Sequence, residues 1–282
     1  MDISGFADGF DAATDQALSW LTDNGTIVFD PVRAALEGMY GFAFWLLSAL
    51  PFYVVVIAFV LLGWRLINAR FGVLAGLALF FCAVMGLWPE TMSTLALVAT
   101  ATLIALAIGI PLGVIAGFVP AVDRALEPIL DLVQTLPPYI YLLPAIALLG
   151  YGPATALLAT FIVATPPAIR LTALGIRMTP HEFVELGKAT GVTGPQMFLK
   201  IRLPFALPSI MAGINQSLMM AFGMVVIAGI VGSGGLGETI YNAIRTLNIA
   251  RSIDAAIAIV ILTIVLDRLT QSAGAQSAGG RA

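Results

Sequence analysis

Charge is what this sequence has least of. Asp, Glu, Lys and Arg make up 10% of its 282 residues, while 60% are hydrophobic and the mean hydropathy is +1.00. A soluble domain carries roughly 25% charged residues, so a soluble enzyme is excluded on composition. A net charge of -3 leaves no basic surface for nucleic acid. One cysteine, Cys82, and one histidine, His181, exclude a disulfide scaffold and a metal cluster. Cys82 reads as a small apolar packing residue. The two lysines, Lys188 and Lys200, are not followed by Ser or Thr and stand in no G-x-x-x-x-G-K setting. The chain therefore has no Walker A loop, and ATP-driven work would fall to another polypeptide. The remaining class is an integral membrane protein without catalytic residues of its own.

What the sequence has in abundance is uncharged length. No charged residue lies between Glu37 and Arg65, from Phe71 to Pro89, from Thr91 to Val122, from Leu132 to Ile169, or from Leu203 to Gly237. A spanning helix needs about 20 apolar residues. Continuous runs of this length satisfy their backbone groups as helices, whereas a barrel would show short alternating segments. Gly150-Tyr151-Gly152-Pro153 splits the fourth run in two. A last stretch, Ile253 to Leu269, is bracketed by Asp254 and Asp267. The expectation is an all-α integral membrane protein of about seven transmembrane helices. Residues 1–49 form an N-terminal extracytoplasmic tail with an interfacial helix over about Pro31–Leu47. Residues 50–89 hold two spans, 90–270 the core with a polar loop at 179–203, and 271–282 a C-terminal tail.

Orientation is set by the bases. With the 179–203 loop in the cytoplasm, ten of the 13 bases fall inside, Arg281 among them, and only Arg33, Arg245 and Arg251 fall outside. That is the positive-inside asymmetry, and it puts the N-terminus outside and the C-terminus inside. Seven of the 16 acids precede Leu50 with Arg33 as their only base, a water-exposed tail rather than a basic signal peptide. The clean runs hold no ionisable residue near mid-membrane, which disfavours an ion-coupled carrier.

The loop is where the sequence turns specific. Thr179-Pro180-His181-Glu182 reads as a capping box opening a helix to about Thr190, with Gly191 as a left-handed stop. Thr193-Gly194-Pro195-Gln196 repeats the pattern and opens a second short helix through about Lys200. Glu185, Gly191 and Ile201-Arg202-Leu203-Pro204 match the E-A-A-x3-G-x9-I-x-L-P motif of ABC importer permeases, with Leu186 and Gly187 in place of the two alanines. The stretch from Pro208 to Gly237, with Asn215-Gln216-Ser217 and Gly234-Gly235-Leu236-Gly237, resembles the glycine betaine/proline betaine permeases. Gln134-Thr135-Leu136-Pro137-Pro138-Tyr139 is similar to the same group.

That resemblance, over roughly residues 90–265, implies a type I ABC importer permease (MetI-like) fold in the bacterial cytoplasmic (inner) membrane. It implies coupling to an ATPase through Glu182, Glu185, Ala189, Gly191, Ile201, Leu203 and Pro204. It implies two ATPase copies carrying ATP and Mg, an extracytoplasmic substrate-binding protein, a second copy of the permease, and membrane lipid around them. A quaternary ammonium group has no donor hydrogens and is held on aromatic faces. Tyr139, Tyr141, Met219 and Phe222, with Asn215, Gln216 and Ser217, are candidates to line the path. For the three polar residues, interhelical hydrogen bonding is an equal reading. Glycine betaine is the first substrate expected, then choline, carnitine, proline betaine or trimethylamine N-oxide. An ABC permease for another solute such as an amino acid is the alternative.

Overall fold

A computed structural model describes residues 3–279, so Arg281 and Asp2 lie outside the described residues. Every regular element among them is helical. In chain order these are α1 (Ile3–Asn24), α2 (Thr26–Ser48), α3 (Phe52–Leu66), α4 (Ala69–Val84), α5 (Trp88–Phe118), α6 (Pro120–Thr135), α7 (Tyr139–Leu149), α8 (Pro153–Arg177) and α9 (His181–Ala189). They are followed by α10 (Gly194–Gln196), α11 (Leu203–Ala228), α12 (Gly235–Arg245) and α13 (Ile249–Gly279).

Four unbroken helical stretches are long and apolar enough to cross a membrane: Trp88–Phe118, Pro153–Arg177, Gly194–Val231 and Ile249–Gly274. Two pairs pass the same test only together, α2 with α3 bent by 93° and α6 with α7 bent by 99°. The short apolar α4, 16 residues and about 24 Å long, covers the expected Phe71–Pro89 run but falls short of that test, so four to six spans stand where seven were expected. The bend before α3 falls at Pro51, between the stretch expected to be interfacial and the one expected to span. The run 132–149, expected as one span bending at Pro137-Pro138, is instead divided there between α6 and α7. Leu136 is extended, with ψ 136°, because the residue before a proline is pushed out of the helical region. Pro137 and Pro138 then lack the N–H groups that would carry the helix on. Beyond them α7 has only 11 residues, a length of about 16 Å.

The core is built on small residues. Gly109, Gly113 and Gly117 recur every fourth residue of α5, and α8 lies directly on that stripe. A methyl group added at Gly113 would come 2.6 Å from both Ile169 O and Thr172 Cβ, and one at Gly117 would come 2.6 Å from Ile176 Cβ. On the other side of α8, Gly175 meets Ala206 and Ser209, and Gly213 of α11 meets Pro167 and Leu171. Lipid supplies no hydrophobic drive for helix association, so close backbone approach and dispersion hold the helices together. The α5–α8–α11 trio carries most of the large buried cluster, including Met92, Val98, Leu157 and Met224.

The bundle has two chemically different ends. At one end lie the loop after α8, the last residue of α5 and the first turns of α11, joined by Phe118 packing edge-on against Phe198 at 6.1 Å. At the far end, Leu236 N–H donates to Thr94 Oγ1 at 2.8 Å, and Tyr40 Oη and Ser93 Oγ share a 2.8 Å hydrogen bond. There the backbones of Gly229 and Gly237 touch so closely that neither tolerates a side chain. The glycine-rich run 234–237 is thus a crossing point of two backbones.

Candidate functional site

The polar loop is a shaped unit. Helix α9 ends as expected at Gly191, whose φ is +72°. Gly191 N–H donates to Lys188 O at 3.1 Å and Val192 N–H to Gly187 O at 3.1 Å, the paired bonds of a Schellman stop. Thr193 and Gln196 form the second capping box, with Thr193 N–H donating to Gln196 Oε1 at 2.9 Å.

Two local expectations are corrected. The first capping box is absent, because Thr179 Oγ1 is buried and donates backward to Ile176 O at 3.0 Å, leaving Pro180 to open α9. The second helix does not stop near Lys200. It runs through a π-wound segment, Met197–Arg202, straight into α11. Pro204 gives the reason: in a regular α-helix its ring would collide with the carbonyl four residues back. Widening the preceding turn, with Leu203 N–H donating to Phe198 O, relieves that collision.

Helix α9 is clamped on this π segment. Gly187 sits where a methyl group would come 2.6 Å from Ile201 Cδ1 and 2.8 Å from Met197 Cε. The glycine in place of the family's alanine therefore brings the two pieces closer. Its neighbour Leu186 points the other way and is 61% exposed. Glu182, Glu185, Ala189 and Gly191 are all exposed, whereas Ile201, Leu203 and Pro204 are half-buried. Glu185 Oε1 lies 3.3 Å from His181 Nδ1. The exposed surface thus combines acids with apolar Leu186 and Phe183, and the half-buried motif residues anchor it from behind.

Three kinds of contact brace this end of the bundle, and sequence reasoning missed all of them. The guanidinium of Arg202 lies over the Phe118 ring at 4.5 Å. Phe183 of α9 packs against Phe205 of α11 at 4.9 Å. Asp131 and Asp123 on amphipathic α6 pair with Arg170 and Arg177 on α8. The last contact left a signal: acids eight apart on one helix and arginines seven apart on another each fall on one face.

The expected path residues do not converge on one surface. Tyr139 is 56% exposed, and Tyr141 Oη donates to Val133 O at 2.6 Å across the bend. Phe222 and Ser217 are buried in the bundle. Met219 and Gln216 are exposed. Asn215 and Gln216 border a cavity of about 390 Å³ between α11 and α13, and the buried Oδ1 of Asn215 has no hydrogen-bond partner. No group of metal-ligating side chains occurs among the described residues.

A helical bundle closed on glycine stripes, with one clamped and exposed loop between two long apolar helices, marks a polytopic membrane protein. Residues 109–273 match the family described as "Binding-protein-dependent transport system inner membrane component", and the chain belongs to that family. It is 38% identical to the glycine betaine/proline betaine transport system permease protein ProW of Escherichia coli, over 95% of this chain and 75% of that protein. It is likewise 38% identical to the glycine betaine transport system permease protein OpuAB of Bacillus subtilis, over 92% of each. Among solved structures, an inward-facing form of the MetNI methionine ABC transporter superimposes with a TM-score of 0.56 at 25% identity, over 67% of this chain and 93% of that one. The fold is accordingly that of a type I ABC importer permease. The chain is a multi-pass inner-membrane permease subunit and not an enzyme.

Proposed function

We propose that this chain is the transmembrane subunit of an ATP-driven importer for betaine-like quaternary amines, with glycine betaine as the first substrate. The observation that carries the reading is the loop, where Glu185, Gly191 and Leu203-Pro204 stand in motif register on a clamped α9–π unit. The names of the relatives add the substrate class.

In this reading the loop faces the cytoplasm, with the N-terminus outside and the C-terminus inside, and it seats in a cleft on one of two ATPase subunits. ATP and Mg belong to those subunits. A substrate-binding protein delivers the solute at the far end, and a second copy of this chain completes the path. The coupling residues are Glu182, Glu185, Ala189 and Gly191 on the exposed side, with Ile201, Leu203 and Pro204 behind them. Because α9 is wedged on Met197 and Ile201 and Arg202 is stacked on Phe118, displacing the loop moves α5, α8 and α11 as packed bodies. Packed interfaces switch between discrete arrangements, which suits alternating access. Tyr139, Tyr141, Asn215, Gln216, Ser217, Met219 and Phe222 remain the proposed path residues. Residues 90–270 form the transport core, 50–89 a two-helix addition, and 1–49 and 271–282 the flanking tails.

The test is ATPase stimulation. The complex reconstituted with its ATPase and binding protein should hydrolyse ATP faster when the binding protein carries glycine betaine. Hydrolysis indifferent to that ligand would contradict the reading.

A further inference from the structure

At the far end, one cavity of about 290 Å³ holds two opposite charges that do not pair. Its walls include Tyr151, Glu238, Tyr241, Asn242 and Arg245, and residues 229–232 also line it. Glu238 and Arg245 stand seven residues apart on α12, on one face and about 10 Å apart along the axis. No ion pair joins them to each other or to any other charged side chain among the described residues. The other two bases at this end are paired, Arg33 with Glu37 and Arg251 with Glu90.

Each charge is held in place without being neutralised. Glu238 Oε2 accepts Gly234 N–H at 2.7 Å, which fixes the carboxylate at the start of α12. The Arg245 guanidinium lies over the Tyr241 ring at 5.6 Å. Tyr151 is 70% exposed at the rim. An acid with an open aromatic face suits a cation that cannot donate hydrogen bonds. A guanidinium with free N–H groups suits a carboxylate. The glycine-rich lining leaves room between them.

We propose that this cavity is a receiving subsite for a small zwitterion, with its quaternary ammonium at Glu238 and Tyr151 and its carboxylate at Arg245. The proposal rests on the importer reading above and narrows it. Carboxylate-bearing betaines engage both charges of the subsite, whereas choline, with no carboxylate, engages only one.

The test is saturation-transfer difference NMR on the detergent-solubilised full chain with glycine betaine and, separately, choline. Variants are Arg245→Gln and Glu238→Gln, the latter keeping an oxygen to accept Gly234 N–H, with thermal melts checking that both fold. The expected result is a glycine betaine methyl signal whose affinity falls by about tenfold in each variant, the loss of one charge-assisted contact. Choline should respond to Glu238→Gln and not to Arg245→Gln. Equal signals across wild type and both variants, or no wild-type signal, would overturn the subsite. So would a Tyr151→Ala variant that loses ATPase stimulation by the binding protein while keeping full ligand signals, since that makes the cavity a protein-docking surface. Glycine betaine uptake by the wild-type complex, measured in parallel, separates the two claims. Uptake without a ligand signal removes the subsite and leaves the importer, and absent uptake removes the importer itself.

Discussion

The Arg202 guanidinium lies 4.5 Å from the centroid of the Phe118 ring, and this stack joins the loop's π segment to the last residue of α5. Phe118 also meets Phe198 edge-on, so one ring touches the segment twice. Arg202 Nε is buried without a hydrogen-bond partner, and the ring covers that half-buried guanidinium on one face. Such contacts contribute about 0.5–2 kcal/mol. Replacing Arg202 with Gln, or Phe118 with Leu, should lower uptake per ATP hydrolysed several-fold while ATP turnover persists. The double variant should lose little more than either single one. Additive losses in that cycle would show that the two residues act separately.

Gly191 holds a φ of +72° at the stop of α9, and a Cβ there would meet nothing within 4 Å. Space is therefore not the obstacle; backbone conformation is. A β-branched residue in the left-handed region costs about 1–2 kcal/mol. Gly191→Val should misplace α9 and uncouple hydrolysis from uptake in normally expressed protein, whereas Gly191→Asn should retain most coupling. Uptake at wild-type level in the valine variant would remove the coupling role of Gly191.

Glu185 is exposed on α9, and its one charged partner among the described residues is His181. Its removal should leave the permease folded. Glu185→Lys is expected to abolish most co-purification with the ATPase without changing the thermal melt of the permease alone. Retained ATPase at wild-type stoichiometry would sink the coupling role.

The glycine stripe makes a stability prediction instead. At Gly113 even a methyl group would come 2.6 Å from a backbone carbonyl of α8. Overpacking of this kind costs about 1–3 kcal/mol. Gly113→Leu should lower the melting temperature and the yield of monodisperse protein, while Leu103→Ala, on an exposed apolar position of the same helix, should do neither.

Much of this architecture was legible because lipid enforces simple rules. Charge-free runs of sufficient length become helices, and the breaker at Gly150–Pro153 sits where the chain turns. The motif residues of the loop were legible for a different reason: Gly191 and Gln196 act through local backbone chemistry that any fold would honour. Thr179 misled because a cap competes with the preceding helix, and burial let its hydroxyl bond backward to Ile176 instead. Helix α6 misled because charge was read as a boundary of the membrane. Asp123 and Asp131 are in fact the polar face of a helix that lies against Arg170 and Arg177, and only Pro137-Pro138 releases the chain into α7. The α5 glycines passed unremarked because a four-residue repeat of small residues barely alters hydropathy. Its meaning appears only once α8 is laid against it.

The central claim is that this chain moves betaine-like solutes only as part of an ATP-driven complex. The most direct test is uptake of radiolabelled glycine betaine into proteoliposomes holding the permease, its ATPase and lumenal ATP, with the binding protein outside. The account predicts accumulation that stops when ATP or the binding protein is omitted, and none by the permease alone under an imposed sodium or proton gradient. Accumulation by the permease alone under either gradient would contradict it.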